Sequence, residues 1–157
     1  MPAWYDVYGP DLADKFDDMG IRTSEQQLRA LIEREVKRDI PARRIVLAGF
    51  SQGGAMALHT GLRYPERLGG ILALSAYLLL PDALSVEVQA ANADVPIMMA
   101  HGTEDDIIPL PRGEMSRRAL EKLGYRVDWR VYDMPHTLCP QEIQDIADWL
   151  SEVFSAE

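Results

Sequence analysis

The spacing of apolar positions changes repeatedly along the chain. Leu28, Leu31, Ile32 and Val36 recur at helical spacing, with Ser24 and Gln27 set as a capping box and Ile40-Pro41 ending the pattern. The apolar run Ile45-Val46-Leu47-Ala48 then predicts a buried strand. Helical spacing returns from Ala55 to Arg63 and stops before Pro65, and residues 70–75 (GILALS) predict a second buried strand. Residues 95–100 (VPIMMA) predict a third. Residues 111–123 are helix-like and close at Gly124, and residues 126–132 (RVDWRVY) alternate as a fourth strand does. Pro140 opens a last helix with Ile143, Ile146, Ala147, Leu150, Val153 and Phe154 on one face.

Strands thus alternate with helices, which predicts an α/β fold: a parallel sheet flanked by helices, with ligands at the carboxyl ends of the strands. The 157 residues, 47% of them hydrophobic, predict one domain, 1–157, with a substantial core. No internal repeat, low-complexity tract or linker interrupts it.

Charge narrows the partners. The formal charge is −9, from 25 acidic and 16 basic residues, and basic residues cluster no further than Lys37-Arg38, Arg43-Arg44 and Arg117-Arg118. Nucleic-acid binding, which needs a concentrated basic face, is not expected. Cys139 is the single cysteine, so no intrachain disulfide forms and a reducing compartment is expected. The start of the chain has no signal-peptide pattern, and no apolar run reaches the length of a membrane span. The expectation is a cytoplasmic protein without stable membrane insertion.

Between the first apolar run and the following helix stands Gly49-Phe50-Ser51-Gln52-Gly53-Gly54, a G-x-S-x-G nucleophile elbow in strand-to-helix context. Its glycines permit the sharp turn that lifts the serine oxygen above the sheet, and the Gln52 amide can then donate to an oxyanion. A serine of this kind needs a base and a carboxylate to orient that base, and the chain supplies both in the order Ser, Asp, His. The acid candidate is Asp105, in a polar turn past the third strand, with Glu104 and Asp106 as competitors and Asp133 as a further neighbour of the base. The base candidate is His136, between the fourth strand and the last helix. His101 is read as a packed, hydrogen-bonded residue, His59 as structural or exposed, and Cys139 as a small buried hydrophobe.

Taken together, Gly49-Phe50-Ser51-Gln52-Gly53-Gly54-Ala55, the His101-Gly102-x-x-Asp105-x-x-Ile108-Pro109 turn and His136-x-x-Cys139-x-x-Glu142 resemble the bacterial carboxylesterase and acyl-protein thioesterase (phospholipase/carboxylesterase) family of α/β hydrolases. Pro2-Ala3-Trp4-Tyr5-Asp6 and Ile40-Pro41-Ala42-Arg43-Arg44-Ile45 extend the resemblance over essentially the whole chain. It implies Ser51 as nucleophile, Asp105 as orienting acid, His136 as base and the Gln52 amide as half of the oxyanion hole. It also implies that Tyr77 and Leu78, in the apolar segment 77–81, form part of an acyl-binding wall; packing alone is the competing role. The implied substrate is a small-molecule ester or acyl compound, with carboxylic esters as default and thioesters or lysophospholipids as alternatives, and no cofactor or metal is implied.

The resemblance marks a departure as well. The family's His-Gly-Leu-Gly-type loop, source of a second oxyanion amide, has no counterpart here, so an N-terminally truncated α/β-hydrolase fold is expected. The strand leading to Ser51 then becomes an exposed sheet edge through which a homodimer can form. The competing function is a catalytically impaired hydrolase fold acting as a binding or interaction module. A dienelactone-hydrolase-like enzyme is disfavoured because the elbow carries serine and not cysteine.

Overall fold

The computed structural model describes residues 3–7 and 17–155; Pro2, part of the resemblance above, lies outside them. Among these described residues, five α-helices and four strands follow in the order α1 (Asp18–Val36), β1 (Val46–Phe50), α2 (Gln52–Arg63), β2 (Gly70–Leu74), α3 (Pro81–Glu87), β3 (Ile97–Gly102), α4 (Leu110–Lys122), β4 (Val127–Tyr132) and α5 (Pro140–Ser155), with short 3-10 turns at Ala42–Arg44 and Ala90–Asn92. The strands form one parallel sheet in the order β1-β2-β3-β4. Parallel neighbours require long crossovers, and the helices between successive strands supply them.

Every residue of β2 and β3 is buried, which is why these strands read as continuous apolar runs. Alternate side chains go to opposite faces. Ile71, Ala73, Ile97 and Met99 pack with Leu58 and Leu62 of α2 and Leu120 of α4. Leu72, Leu74, Met98 and Ala100 pack with Trp149 of α5, joined by Ile146, Leu150 and Val153. Complete burial of such a side chain contributes about 1.5–3 kcal/mol, so helices on both faces secure the sheet and fix the ends of its strands.

Three local expectations change. The first helix is capped seven residues before the expected Ser24: Asp17 is the N-cap, accepting from the Gly20 amide at 2.9 Å. Ser24 lies inside α1, and its hydroxyl donates to the Trp4 carbonyl. The third strand is shifted by two residues, because Pro96 has no N–H to give the ladder while His101 and Gly102 continue it opposite Val131 and Tyr132. The segment after Tyr77 contains a helix, α3, that the apolar pattern did not reveal. As expected, β1 forms an edge of the sheet, with Ala48 and Phe50 exposed.

Candidate active site

Ser51 joins β1 to α2 with φ 55° and ψ −123°, a left-handed conformation that a non-glycine residue adopts at a cost of about 1–3 kcal/mol. Two backbone hydrogen bonds hold it there: its N–H donates to the Leu74 carbonyl at 2.8 Å, and its carbonyl accepts from Ala55 at 3.0 Å. A Cβ on Gly49 would stand 2.1 Å from the Gly53 carbonyl carbon, and one on Gly54 2.7 Å from the Gly49 carbonyl oxygen. The elbow therefore demands glycine at those two positions. Gly53, the last glycine of the five-residue motif, has room for a side chain, its nearest neighbour being Trp4 at 3.8 Å.

Gln52 begins α2. Its side chain accepts from the Trp4 amide and donates to the Tyr5 carbonyl, both at 3.2 Å, tying the segment before α1 to the elbow.

Beyond β3, the acid candidates in the turn differ in burial. Asp105 is buried, whereas Glu104, Asp106 and Asp133 are exposed. Asp105 Oδ1 accepts from the amides of Ile107 at 3.0 Å and Ile108 at 2.8 Å, and its Oδ2 lies 2.7 Å from Nδ1 of His136. The Ile108 side chain packs with Ala55, Met56 and Tyr77, joining the acid-bearing turn to the first turns of α2.

His136 follows β4 in a loop laid over the end of β3. A Cβ on Gly102 would meet the Met134 carbonyl oxygen at 2.2 Å, so glycine is what lets the two segments approach. The amides of Thr103 and Glu104 donate to the carbonyls of Tyr132 and Met134 at 2.8 and 3.1 Å, fixing the loop further. The imidazole remains partly open to solvent and stands 4.6 Å, centroid to centroid, from the ring of Phe50, the residue before Ser51.

His101 is packed and hydrogen-bonded, as expected. Fully buried, its Nε2 lies 2.7 Å from the Ile108 carbonyl oxygen and 3.6 Å from Asp105 Oδ2. Its side chain thus braces the turn whose amides hold Asp105. The sequence sign of this was a histidine at a strand end; its acceptor, the backbone carbonyl of Ile108, carries no side-chain signal.

Tyr77 and Leu78 follow β2, and both are buried. The Tyr77 hydroxyl is 2.8 Å from that of Tyr5, Arg112 lies over the Tyr77 ring at 4.1 Å, and the Leu78 amide donates to Ser116 at 2.9 Å. The two residues border a groove of about 300 Å³ with Pro81, Arg112, Met115 and Ser116. Burial pushes the Tyr5 hydroxyl far above its ordinary range, so it stays protonated against the Tyr77 hydroxyl.

The remaining candidates fall elsewhere. His59 is buried, not exposed, with Nε2 2.9 Å from Glu25 Oε2. Cys139 is a free thiol only half-buried, at the residue before α5, so its reading as a buried hydrophobe is corrected. Two residues into α5, burial raises the Glu142 carboxyl above the ordinary carboxylate range. Among the described residues, no group of three or more His, Cys, Asp or Glu side chains is placed to hold a metal ion, and no helix is long and apolar enough to cross a membrane.

Comparison with known proteins agrees with this architecture. Residues 1–154 match the phospholipase/carboxylesterase family model. Acyl-protein thioesterase 1 of Gibberella zeae is 42% identical over 96% of the chain and 67% of its own length. Acyl-protein thioesterase 1 of Neurospora crassa is 42% identical over 97% of the chain and 65% of its own length. The chain therefore spans about two thirds of the length of these curated relatives. Among solved structures, Arabidopsis thaliana SOBER1 superposes with a TM-score of 0.90 at 23% identity, covering 97% of this chain and 74% of that one. With a family match from end to end of the described sheet and sequence identities above 40%, the chain belongs to the phospholipase/carboxylesterase family of α/β hydrolases, which act on ester or thioester bonds.

Proposed function

We propose that this protein is a serine carboxylesterase working through Ser51, His136 and Asp105. The observation that carries the reading is the 2.7 Å contact between His136 Nδ1 and the buried Oδ2 of Asp105, made beside the strained Ser51 turn. With Nδ1–H donating to the carboxylate, the Nε2 lone pair is left to act as base. His136 accepts the Ser51 proton as Oγ attacks the carbonyl carbon, then returns it to the departing alcohol or thiol. Water, deprotonated by the same imidazole, releases the acid from the acyl-serine.

The Gln52 amide, at the first turn of α2, is the donor proposed for the oxyanion, favoured by the helix N-terminus it belongs to. The groove bordered by Tyr77 and Leu78 is proposed to take the acyl chain of a small-molecule carboxylic ester, thioester or lysophospholipid. The assignment of 1–157 as a single hydrolase domain, a cytoplasmic location supported by the free Cys139 thiol, and a homodimer through the β1 edge belong to the same proposal.

A fluorophosphonate probe tests the reading, since covalent labelling requires an activated serine. Labelling of the wild-type protein, together with loss of labelling and of p-nitrophenyl acetate hydrolysis in Ser51→Ala, is the expected result. Turnover at the wild-type rate in Ser51→Ala would overturn it.

A further inference from the structure

Gln52 is the first residue of α2, so its backbone N–H is among those at a helix start that have no partner within the helix. The amide is thereby free to donate to a substrate oxygen, and the helix ladder does not hold it. Ser51 before it is fixed separately, donating to Leu74 and accepting from Ala55. The side chain of Gln52 supplies a hold of its own. Its carboxamide oxygen accepts from the Trp4 N–H and its nitrogen donates to the Tyr5 carbonyl, both at 3.2 Å, so it is clamped between successive backbone groups.

The Trp4–Tyr5 segment is a firm anchor for that clamp. Tyr5 is buried among Ile21, Ala55 and Met56, and its hydroxyl lies 2.8 Å from that of Tyr77. The Trp4 carbonyl accepts from the Ser24 hydroxyl, and the Asp6 N–H donates to Asp17 Oδ2 at 3.1 Å, tying the segment to α1.

We infer that the Gln52 side chain is a positioning residue for the reaction: by gripping the backbone of Trp4 and Tyr5, it fixes the direction of the Gln52 amide toward the oxyanion. The inference rests on the proposed esterase reading, in which that amide is the donor. A donor aimed in advance at the place where negative charge develops stabilises the transition state, whereas one that swings must be reoriented during the reaction. Packing does not account for these contacts. An apolar side chain would fill the same half-buried space, but a carboxamide offers both a donor and an acceptor to adjacent backbone groups.

Two variants test it. Gln52→Met is close in size but lacks the polar atoms, and Ser24→Ala loosens the same segment from α1. Both are assayed for p-nitrophenyl acetate hydrolysis and for inhibition by a trifluoromethyl ketone. The ketone carbon bonds to Ser51 Oγ while its oxygen becomes the anion and the serine proton passes to His136. Gln52→Met should lose about tenfold in kcat, less than the roughly 10²–10³-fold for deleting a donor outright, with KM little changed. The inhibition constant of the ketone should rise by the same factor. Ser24→Ala should lose severalfold in the same sense, and the double variant should lose no more than Gln52→Met. A solely structural role would lower the melting temperature and leave kcat and the inhibition constant alone. Wild-type kcat in Gln52→Met, a loss confined to KM, or losses that multiply in the double variant overturn the inference. Fluorophosphonate labelling separates the two failures. A labelled wild type with an unaffected Gln52→Met overturns the inference alone, and an unlabelled wild type overturns the esterase reading and the inference with it.

Discussion

Nδ1 of His136 lies 2.7 Å from Oδ2 of Asp105, while Oδ1 of the same carboxylate is held by the amides of Ile107 and Ile108. The two oxygens therefore have separable tasks, and one substitution can divide them. In Asp105→Asn the side-chain carbonyl can still accept both backbone amides, but the NH2 group faces His136 as a donor. The imidazole is then driven to the tautomer protonated at Nε2, which cannot accept the Ser51 proton. We expect kcat on p-nitrophenyl acetate to fall by about 10⁴-fold with the melting temperature nearly unchanged. An Asn variant with wild-type kcat would remove Asp105 from the proposed triad.

His101 supports the same carboxylate from behind. Its Nε2 faces the Ile108 carbonyl at 2.7 Å, and no polar atom replaces it in His101→Phe. That variant leaves a buried carbonyl without its donor, a loss of about 1–3 kcal/mol measured by urea denaturation. Because Ile108 also supplies an amide to Asp105, kcat should fall more than KM changes. A variant that loses stability yet keeps kcat would restrict His101 to a structural role.

Much of this arrangement was legible in the sequence because it depends on local patterns. The glycines around Ser51 and the apolar runs of β2 and β3 are short-range signals, and each of Ser51, Asp105 and His136 stands out in its own short segment past a strand. Place in the turn favours Asp105 over Glu104 and Asp106, and of the three it alone is buried. What was not legible depends on contacts far apart in the chain. Ser24 looks like a cap because Ser-x-x-Gln fits one, yet its hydroxyl is occupied by the Trp4 carbonyl, twenty residues away. The pairing of His59 with Glu25 crosses from α2 to α1, and the Tyr5–Tyr77 contact spans 72 residues. Periodicity carries no information about such partners.

The two outer glycines of the G-x-S-x-G motif should respond oppositely to alanine. Gly49→Ala places a methyl carbon 2.1 Å from backbone that cannot retreat without unmaking the Ser51 turn, so the expected outcome is an unfolded or strongly destabilised protein. Gly53→Ala meets only the Trp4 ring nitrogen at 3.8 Å, within a helix. There the substitution should raise stability by about 0.4–1 kcal/mol by narrowing the unfolded ensemble. Thermal melts of the two variants check both, and equal destabilisation would contradict the close approach seen only at Gly49.

The β1 edge carries the prediction about assembly. Ala48 and Phe50 are exposed on a strand paired only to β2 among the described residues, and an unpaired edge is a template for another chain. Two such edges can pair antiparallel about a twofold axis. Light scattering coupled to size exclusion should report a dimer for the wild-type chain and a shift toward monomer for Ala48→Lys, whose charge opposes edge pairing. A wild-type monomer would rule the pairing out.

Acid stability should follow the buried pair of Glu25 and His59. Burial lowers the His59 pKa below its ordinary 6.5, and this outweighs the opposing hydrogen bond from Glu25. For Glu25, burial alone would raise the pKa, but hydrogen bonds from His59 and Arg29 bring it down to about 2. Each group thus binds fewer protons folded than unfolded, so stability rises with pH through its window. The His59 contribution is fully present above 6.5 and declines as pH falls below that value, and the Glu25 contribution declines between 4.5 and about 2. Urea midpoints should therefore begin to fall between pH 7 and pH 5, where the ordinary carboxylate has not yet titrated. His59→Gln should flatten that first segment while leaving the loss below pH 4.5 in place. Glu25→Ala at pH 7 strands His59 and Arg29 without their shared acceptor, at a cost near the low end of the roughly 3–5 kcal/mol for breaking a buried pair, because Arg29 keeps some contact with solvent. An unaltered pH 7 to 5 slope in His59→Gln would assign the acid sensitivity to other groups.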